Sequence, residues 1–278
     1  MASMRSVQPA GPWSGSGKQS ASCTPPAALT ALQNGSNNME LVANEPLAVA
    51  ATEAILTGDL ERLKGLLKDD PGLATARVGD GPMSRTLLHV ATDWPGHFPN
   101  NAATVALLVS AGAEVHARFA GPHTETALHW AASSDDIEVL DVLLDQGADI
   151  EANGGVIGDG TPLADAVAFG QWNAARRLVE RGAEANLWQA AALGLIDRVM
   201  EHFAGDTAPS TSDVTNAFWC ACHGGQQETA EYLLEHGADL NWVGHDDLTP
   251  LDAADRSGAS DLVEKLRLLG GKSAKDLT

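Results

Sequence analysis

The amino-acid sequence predicts an all-α solenoid, with about six helix pairs and an N-terminal cap spread over roughly residues 47–270. Three observations predict it. A Gly-Ala step recurs after apolar runs, and a tetrapeptide that mostly begins with Thr recurs ahead of the helix pairs. The first three of these steps are also evenly spaced, as stacked helical repeats require.

The Gly-Ala step indicates where each helix pair ends. Its glycines, Gly112, Gly147, Gly182 and Gly237, lie 35, 35 and 55 residues apart. Each follows an apolar run such as residues 139–144, which is typical of an amphipathic helix. A glycine in that place is typical of a left-handed cap, because it has no Cβ to oppose a positive φ. The widest interval is long enough for two units.

The tetrapeptide indicates where each pair begins. It occupies residues 86–89, 126–129, 161–164 and 249–252, and Thr is its first residue each time. A threonine can cap a helix, and Pro162 and Pro250 then fall at the first helical position, where no backbone N–H is needed. With both markers in register, the chain resembles the ankyrin repeat, a unit of about 33 residues that starts Thr-Pro-Leu-His.

The resemblance implies a concave groove, lined by the first helix of each pair and by short β-fingers between pairs. It places an N-terminal cap around residues 50–67 and a final capping helix that favours a monomer. Two departures stand out. A helix follows Gly182 so closely that one finger is missing, and residues 95–101 are inserted within the first full repeat. The fourth motif position is His only twice, with Ala164, Trp188, Phe218 and Asp252 elsewhere.

Composition limits the classes of partner. The chain has 17 basic and 37 acidic residues, a formal charge of −20, which disfavours nucleic acid and anionic membranes. No apolar run approaches the roughly 18 residues of a membrane span. Three cysteines are too few for a disulfide scaffold and favour the cytoplasm. A protein partner is the first expectation, and a small-molecule ligand the alternative.

Residues 1–38 differ from the rest, since they are rich in Ser, Gly, Pro, Ala and Asn and show no apolar periodicity. They are predicted to be a disordered low-complexity tail ahead of a repeat domain at residues 39–278. Two other interpretations stay open, namely a targeting segment and an overcalled start with Met39 as the initiator.

The residues that the resemblance places in the groove are unusually rich in tryptophan, of which the chain has seven, against one tyrosine. Aromatic anchors within a polar surround are typical of a protein-binding surface. The predicted binding residues are Trp94, Phe119, Glu125, Trp130, Phe169, Trp219 and Trp242. For Trp130 and Trp219, packing between repeats is an equally good interpretation.

An acid–base enzyme is the alternative hypothesis. Asp165 lies between two alanines on a predicted inner helix, where a carboxylate is costly to bury unless it has a function or a partner. Asp93, His123 and His223 would complete such a site, whether for a hydrolase, a lyase or an isomerase. No cofactor is predicted, because residues 153–160 lack the Lys-Ser/Thr context of a phosphate loop. No metal site is predicted either, since Cys220 and Cys222 point to different helix faces.

Overall fold

The computed structural model describes residues 39–80, 82–205 and 208–277. The tail predicted at residues 1–38 lies outside the described residues. Within them the chain forms fourteen α-helices, which stack as seven consecutive pairs. The predicted architecture of six pairs plus a cap is confirmed.

The cap is the pair α1 (Pro46–Thr57) and α2 (Leu60–Asp69). In each later pair, the first helix lines the inner side of the stack. These inner helices are α3 (Leu87–Thr92), α5 (Ala127–Ser133), α7 (Pro162–Ala168), α9 (Leu187–Leu193), α11 (Thr211–His223) and α13 (Pro250–Arg256). The outer helices are α4 (Asn101–Ser110), α6 (Ile137–Asp145), α8 (Trp172–Glu180), α10 (Ile196–Ala204), α12 (Gln227–Glu235) and α14 (Ser260–Leu268).

Three short strands form a sheet at the N-terminal end. Strand β2 (Arg77–Asp80) pairs antiparallel with β3 (Met83–Thr86) to make the first finger. Strand β1 (Glu40–Val42) pairs parallel to β2 on the other side. The sequence analysis did not predict β1, because its partner lies far along the chain and three residues carry too little periodicity to detect.

The four helix-ending glycines adopt the predicted left-handed conformation. Their φ angles are +106° at Gly112, +87° at Gly147, +104° at Gly182 and +92° at Gly237. An added Cβ would meet nothing within 4 Å at any of them, so it is the backbone conformation and not crowding that favours glycine there.

The predicted threonine caps are formed at most of the helix starts. The Asp252 N–H donates to Thr249 Oγ1 over 3.3 Å, and the Thr249 N–H donates back to the Asp252 carboxylate over 3.1 Å. Pro162 and Pro250 are the first residues of their helices, as predicted. Thr161 is the exception, since its side chain makes no cap hydrogen bond in the described structure.

The motif register predicted at α9 is wrong by one residue. Asn186 caps this helix, accepting from the Gln189 N–H over 3.1 Å, and its own N–H donates to Gln189 Oε1 over 2.9 Å. The same bond joins the Thr126 N–H to His129 Nδ1 over 3.1 Å. Gln189, and not Trp188, therefore occupies the fourth motif position.

The core runs the length of the stack between inner and outer helices. Small residues such as Ala190, Ala191 and Ala192 are fully buried, which lets neighbouring inner helices approach closely. Among the inner helices, α7 packs least extensively on its next neighbour, α9. The longest described helix has 13 residues, so none in the described part of the chain could cross a bilayer, which takes about 20.

Candidate functional site

The fingers of the first three repeats form a continuous row. Finger 1 is the β2–β3 hairpin, finger 2 is residues 114–125 and finger 3 is residues 149–160. Ser84 and Ala120 exchange two backbone hydrogen bonds of 3.0 and 2.9 Å between fingers 1 and 2. The Thr124 N–H donates to the Gly154 carbonyl over 3.1 Å, which joins finger 2 to finger 3.

Two arginines strengthen this row. The Arg77 guanidinium donates to the Ser84 carbonyl over 2.8 Å and to the Arg118 carbonyl over 2.9 Å. Arg118 in turn donates to the Thr124 carbonyl over 3.1 Å and to both the backbone carbonyl and the side chain of Asn153. Each guanidinium thus bridges adjacent elements of the row through its fork of donors.

Motif side chains link each repeat to the backbone ahead of the next. His89 Nε2 lies 3.1 Å from the Glu125 carbonyl and His129 Nε2 lies 3.1 Å from the Gly160 carbonyl. Burial lowers the pKa of both imidazoles to about 4, so they are neutral at pH 7. Because His129 Nδ1 accepts from the Thr126 N–H, its Nε2 carries the proton and donates.

Trp219 plays the same part in the fifth repeat, so Trp219, and not Phe218 as predicted, occupies the fourth motif position there. Its indole Nε1 donates to the Leu248 carbonyl over 2.9 Å, and its side chain is fully buried. The burial of Trp219 therefore favours the packing interpretation that the sequence analysis left open for it. The inter-repeat bond that histidine makes in the second repeat is made here by an indole.

The first two full repeats carry three aromatic side chains that the sequence analysis predicted in the groove, Trp94, Phe119 and Trp130, and we call this set the aromatic patch. The Phe119 and Trp130 rings lie 5.5 Å apart, and His89 supports Trp130 edge-on at 5.0 Å. The Phe119 and Trp130 rings are half-buried, whereas the Trp94 side chain is 46% exposed. The Trp130 indole nitrogen is buried and makes no hydrogen bond of normal geometry within the described structure.

Trp94 stands on the inserted loop between α3 and α4, which the structure confirms as an insertion. The loop is fixed to the next repeat, because buried Asp136 accepts from the His97 N–H over 2.9 Å and from the Asn101 side chain over 3.0 Å. Beside Trp94, Asp93 forms an ion pair with Arg85 of finger 1. The exposed indole therefore projects from a well-anchored loop.

Glu125 lies behind the patch and is only 5% exposed, so the prediction that it contacts a partner directly is wrong. Burial raises the pKa of its carboxyl to about 7, and the nearby Trp130 indole partly offsets the shift.

Asp165 is fully buried beneath finger 3. One carboxylate oxygen accepts from the Ile157 N–H over 3.2 Å, and the other has no partner in the described structure. Burial raises the pKa of this carboxyl to about 7, with Glu125 adding to the shift. A Cβ on Gly155 would lie 2.8 Å from both oxygens, so finger 3 closes tightly over the carboxyl. The position of the Asp165 carboxyl indicates that it anchors finger 3.

The four residues predicted for catalysis do not converge. Asp93 pairs with Arg85, and His123 is exposed on finger 2. His223 Nε2 lies 3.3 Å from the Val167 carbonyl, and burial lowers the pKa of this imidazole to about 4. Within the described part of the chain, these four side chains make no hydrogen bond to one another. No group of three or more His, Cys, Asp or Glu residues there could hold a metal ion.

The remaining predicted binding residues lie in the C-terminal half. Phe169, at the end of α7, and Trp242 are both half-buried. Trp242 meets His245 edge-on at 5.7 Å, and His245 in turn meets Trp219 at 4.9 Å. The Arg256 guanidinium lies 5.7 Å from the centre of the Trp219 ring and pairs with Asp246 over 2.7 Å. These contacts tie the last finger to the helices, which sequence periodicity alone could not reveal.

The row of fingers is interrupted after finger 3. The connection 181–186 leads directly into α9, which confirms the missing finger. We define the finger gap as the surface over this connection, between finger 3 and residues 208–210. It holds three adjoining open clefts of about 620, 580 and 420 Å³, and all three share His202. Trp188 lines the two larger ones, and Asp165 lines none of the three. The sequence analysis predicted the missing finger, and the break that it leaves in the row was where a specific site was expected. The open clefts lined by Trp188 and His202 are found in the structure.

Comparison with known proteins agrees with this architecture. Three copies of the family model for ankyrin repeats match residues 47–154, 88–189 and 187–275. An ankyrin repeat and KH domain-containing protein of Caenorhabditis briggsae is 30% identical over 197 residues, which is 65% of this chain and 7% of that protein. The protein mask-1 of Caenorhabditis elegans, of the same description, is 32% identical over 50% of this chain and 6% of its own length.

The E3 ubiquitin-protein ligase KEG of Arabidopsis thaliana is 26% identical over 58% of this chain and 10% of its own length. The chain thus spans a tenth or less of each of these relatives. The family-model matches cover nearly all of the described residues in consecutive, overlapping segments. The chain therefore belongs to the ankyrin-repeat family.

Proposed function

We propose that this chain is a non-enzymatic binding module that recognises a partner protein through the aromatic patch of its groove. Ankyrin repeats are generally protein–protein interaction modules, and no chemistry is required of any residue here. The observation that carries the proposal is Trp94, a large aromatic side chain left 46% exposed on an anchored loop. Phe119 and Trp130, which contact each other, are the further aromatic side chains of this part of the groove.

The energetics of such an arrangement favour recognition. Tryptophan is enriched among residues that dominate interface energies, and a single well-packed anchor contributes about 2 kcal/mol or more. Because Asp136 and Asn101 already fix the loop, little conformational entropy is lost when a partner covers the indole. The frame of finger row and inner helices is likewise ordered before binding.

The charge of the chain indicates what kind of partner fits. A formal charge of −20 attracts a basic protein and speeds its encounter, while it repels nucleic acid. Both cysteines in the described structure, Cys220 and Cys222, are buried free thiols, which supports our further expectation of a cytoplasmic protein.

The small-molecule or enzymatic alternative has less support. It requires Asp165 to reach a ligand, and that carboxyl is fully buried under finger 3. Its raised pKa follows from burial and from Glu125, as an anchoring carboxyl in this position would also show. A thermal-shift screen against metabolites, repeated with Asp165→Asn, would revive this alternative if it gave a hit that the variant lost.

The proposal is tested by affinity capture from the source organism, followed by calorimetry with the purified partner. We expect Trp94→Ala to weaken binding at least about tenfold, which corresponds to roughly 1.4 kcal/mol. Met200→Ala is the matched control, because Met200 is similarly exposed at 48% but lies on outer helix α10. Equal affinities of the Trp94→Ala and native chains for the partner would refute the groove proposal.

A further inference from the structure

We infer that the finger gap is a second interaction surface, which accepts an extended basic segment of a partner protein. The inference goes beyond the proposed function, because it concerns a different face and does not depend on the aromatic patch.

The shape of the surface is the first argument. Where a finger is absent, the clefts of about 620 and 580 Å³ adjoin along Asn186 and Trp188, and both open to solvent. Finger 3 bounds this surface on one side and Pro209 on the other. The space is thus elongated across the row, as an extended chain would need, and it is not an enclosed small-molecule pocket.

The edge of finger 3 is the second argument. Its backbone bonds laterally to finger 2 through the Gly154 carbonyl. In the described residues no backbone hydrogen bond joins finger 3 to the connection 181–186, and the one recorded link is from the Glu184 N–H to the Glu151 carboxylate, 2.7 Å. Finger 3 contains no strand, so an extended segment would lie along its open side in the clefts and would not be added to it as a strand.

The charges are the third argument, and they select the chemistry of the segment. Four acidic side chains line the three clefts and are exposed, namely Glu151, Glu184, Glu201 and Asp213. The two larger clefts are lined by no lysine or arginine, and the smallest has Arg198 alone. Within a Debye length of about 8 Å at physiological salt, such a surface attracts cations.

Trp188 adds the fourth argument. It is half-buried and lines both larger clefts, so its indole is part of the surface that a bound segment would contact. Lysine and arginine side chains bind the face of an indole through the ring quadrupole, and their aliphatic stems cover its apolar surface. Acidic and aromatic groups together therefore favour a basic peptide over a neutral or acidic one.

The test uses the full chain and a fluorescent peptide of alternating lysine and threonine, with a glutamate–threonine peptide as the negative control. Fluorescence polarisation at physiological salt measures binding. We expect the basic peptide to bind and the double variant Glu184→Gln/Glu201→Gln to weaken binding at least about fivefold, since two attractive charges are lost.

The matched control is Glu138→Gln/Glu235→Gln, which makes the same charge change at exposed positions on outer helices α6 and α12. It should change the affinity less than about twofold. Equal weakening by both double variants would mean attraction to net charge alone and would overturn the inference, as would absence of binding to the native chain.

Hydrogen exchange provides the position of the peptide. We expect slower amide exchange in residues 149–160 and 186–189 when the basic peptide is bound, and less slowing there with Glu184→Gln/Glu201→Gln at the same peptide concentration. Protection found elsewhere would overturn the inference. Trp94→Ala should bind the peptide as the native chain does, so failure at the finger gap and failure at the aromatic patch are distinguishable.

Discussion

The finger row and the finger gap are built on the same helix pairs but differ in how adjacent repeats are joined. In the row, backbone bonds, two arginines and two neutral histidines connect each finger to the next. At the gap, the one such link recorded in the described part of the chain runs from the Glu184 N–H to the Glu151 carboxylate. The stack there depends mainly on packing between helices.

The difference teaches that a solenoid can lose one finger without losing its register. Gln189 reproduces the cap bond that His129 makes, so α9 starts correctly even though nothing projects ahead of it. The cost falls on lateral contacts, since α7 packs on α9 less extensively than inner helices do elsewhere in the described stack. Stability in a repeat array is roughly a sum of repeat and interface contributions, so the gap is the weakest joint.

The largest expected effect tests whether the gap separates two cooperative blocks. Trp219→Ala removes a fully buried indole and its bond to Leu248, and should lower the free energy of unfolding by about 3–5 kcal/mol. We expect the lost amide protection, measured by hydrogen exchange, to be concentrated in α9–α14. Uniform loss across α3–α8 would show that the gap couples the halves fully. Trp94→Ala, at an exposed position, should cost less than about 0.5 kcal/mol.

A smaller effect, on the pH dependence of stability, distinguishes His129 in the finger row from Gln189 at the finger gap. The pKa of His129 is about 4 in the folded chain and 6.5 as its ordinary value, so the unfolded chain binds more protons between these pH values. Stability from this residue is therefore lost as pH falls from 6.5 towards 4, by about 2 kcal/mol at pH 5.

His129→Gln should remove that loss of stability. The glutamine should still accept the cap bond from the Thr126 N–H, because Gln189 accepts the equivalent bond from the Asn186 N–H. Urea titrations at pH 7 and pH 5 measure it. Relative to the native chain, the variant should gain about 2 kcal/mol on going to pH 5. If the free energies of unfolding of the variant and the native chain differ by the same amount at pH 7 and pH 5, the neutral buried state of His129 is contradicted.

The smallest effect concerns the arginines. Arg118→Met keeps the aliphatic stem but removes the hydrogen bonds to Asn153 and Thr124, and should cost about 1–2 kcal/mol. Amide hydrogen exchange at residues 153–160 should become faster, because finger 3 would then be held as loosely towards finger 2 as it is towards the finger gap. Unchanged exchange would mean that the contacts with Thr124, His129 and Asp165 hold the finger without the guanidinium. Arg176→Met on exposed α8 is the control.

Much of the fold follows from local signals in the sequence. The glycines at helix ends and the prolines at helix starts act within one turn, so their effect is readable without tertiary context. The one-residue error at α9 arose because Leu187 and Trp188 are both apolar and fit either register. Only the reciprocal bonds of Asn186 and Gln189 decide between them.

The site was less predictable, because inner-helix residues face either the groove or the next repeat, and periodicity does not separate these outcomes. Trp94 is exposed while Trp219 is buried, although both were placed in the groove by motif position. Asp165 is accounted for by the Ile157 amide of a finger that closes over it, a contact set by loop conformation. The finger gap results from a missing finger, and no pattern of residues in the sequence describes the surface that is left in its place.

The arginine bridges have a mechanical consequence. A stack of helix pairs behaves as a curved spring, and its stiffness is the resistance of each joint to bending. Arg77 and Arg118 clamp the first three fingers together along the inner rim, whereas the rim is open at residues 181–186. We therefore expect bending under a pulling or twisting load to be concentrated at this opening, where α7 packs least extensively on α9 among the described inner helices.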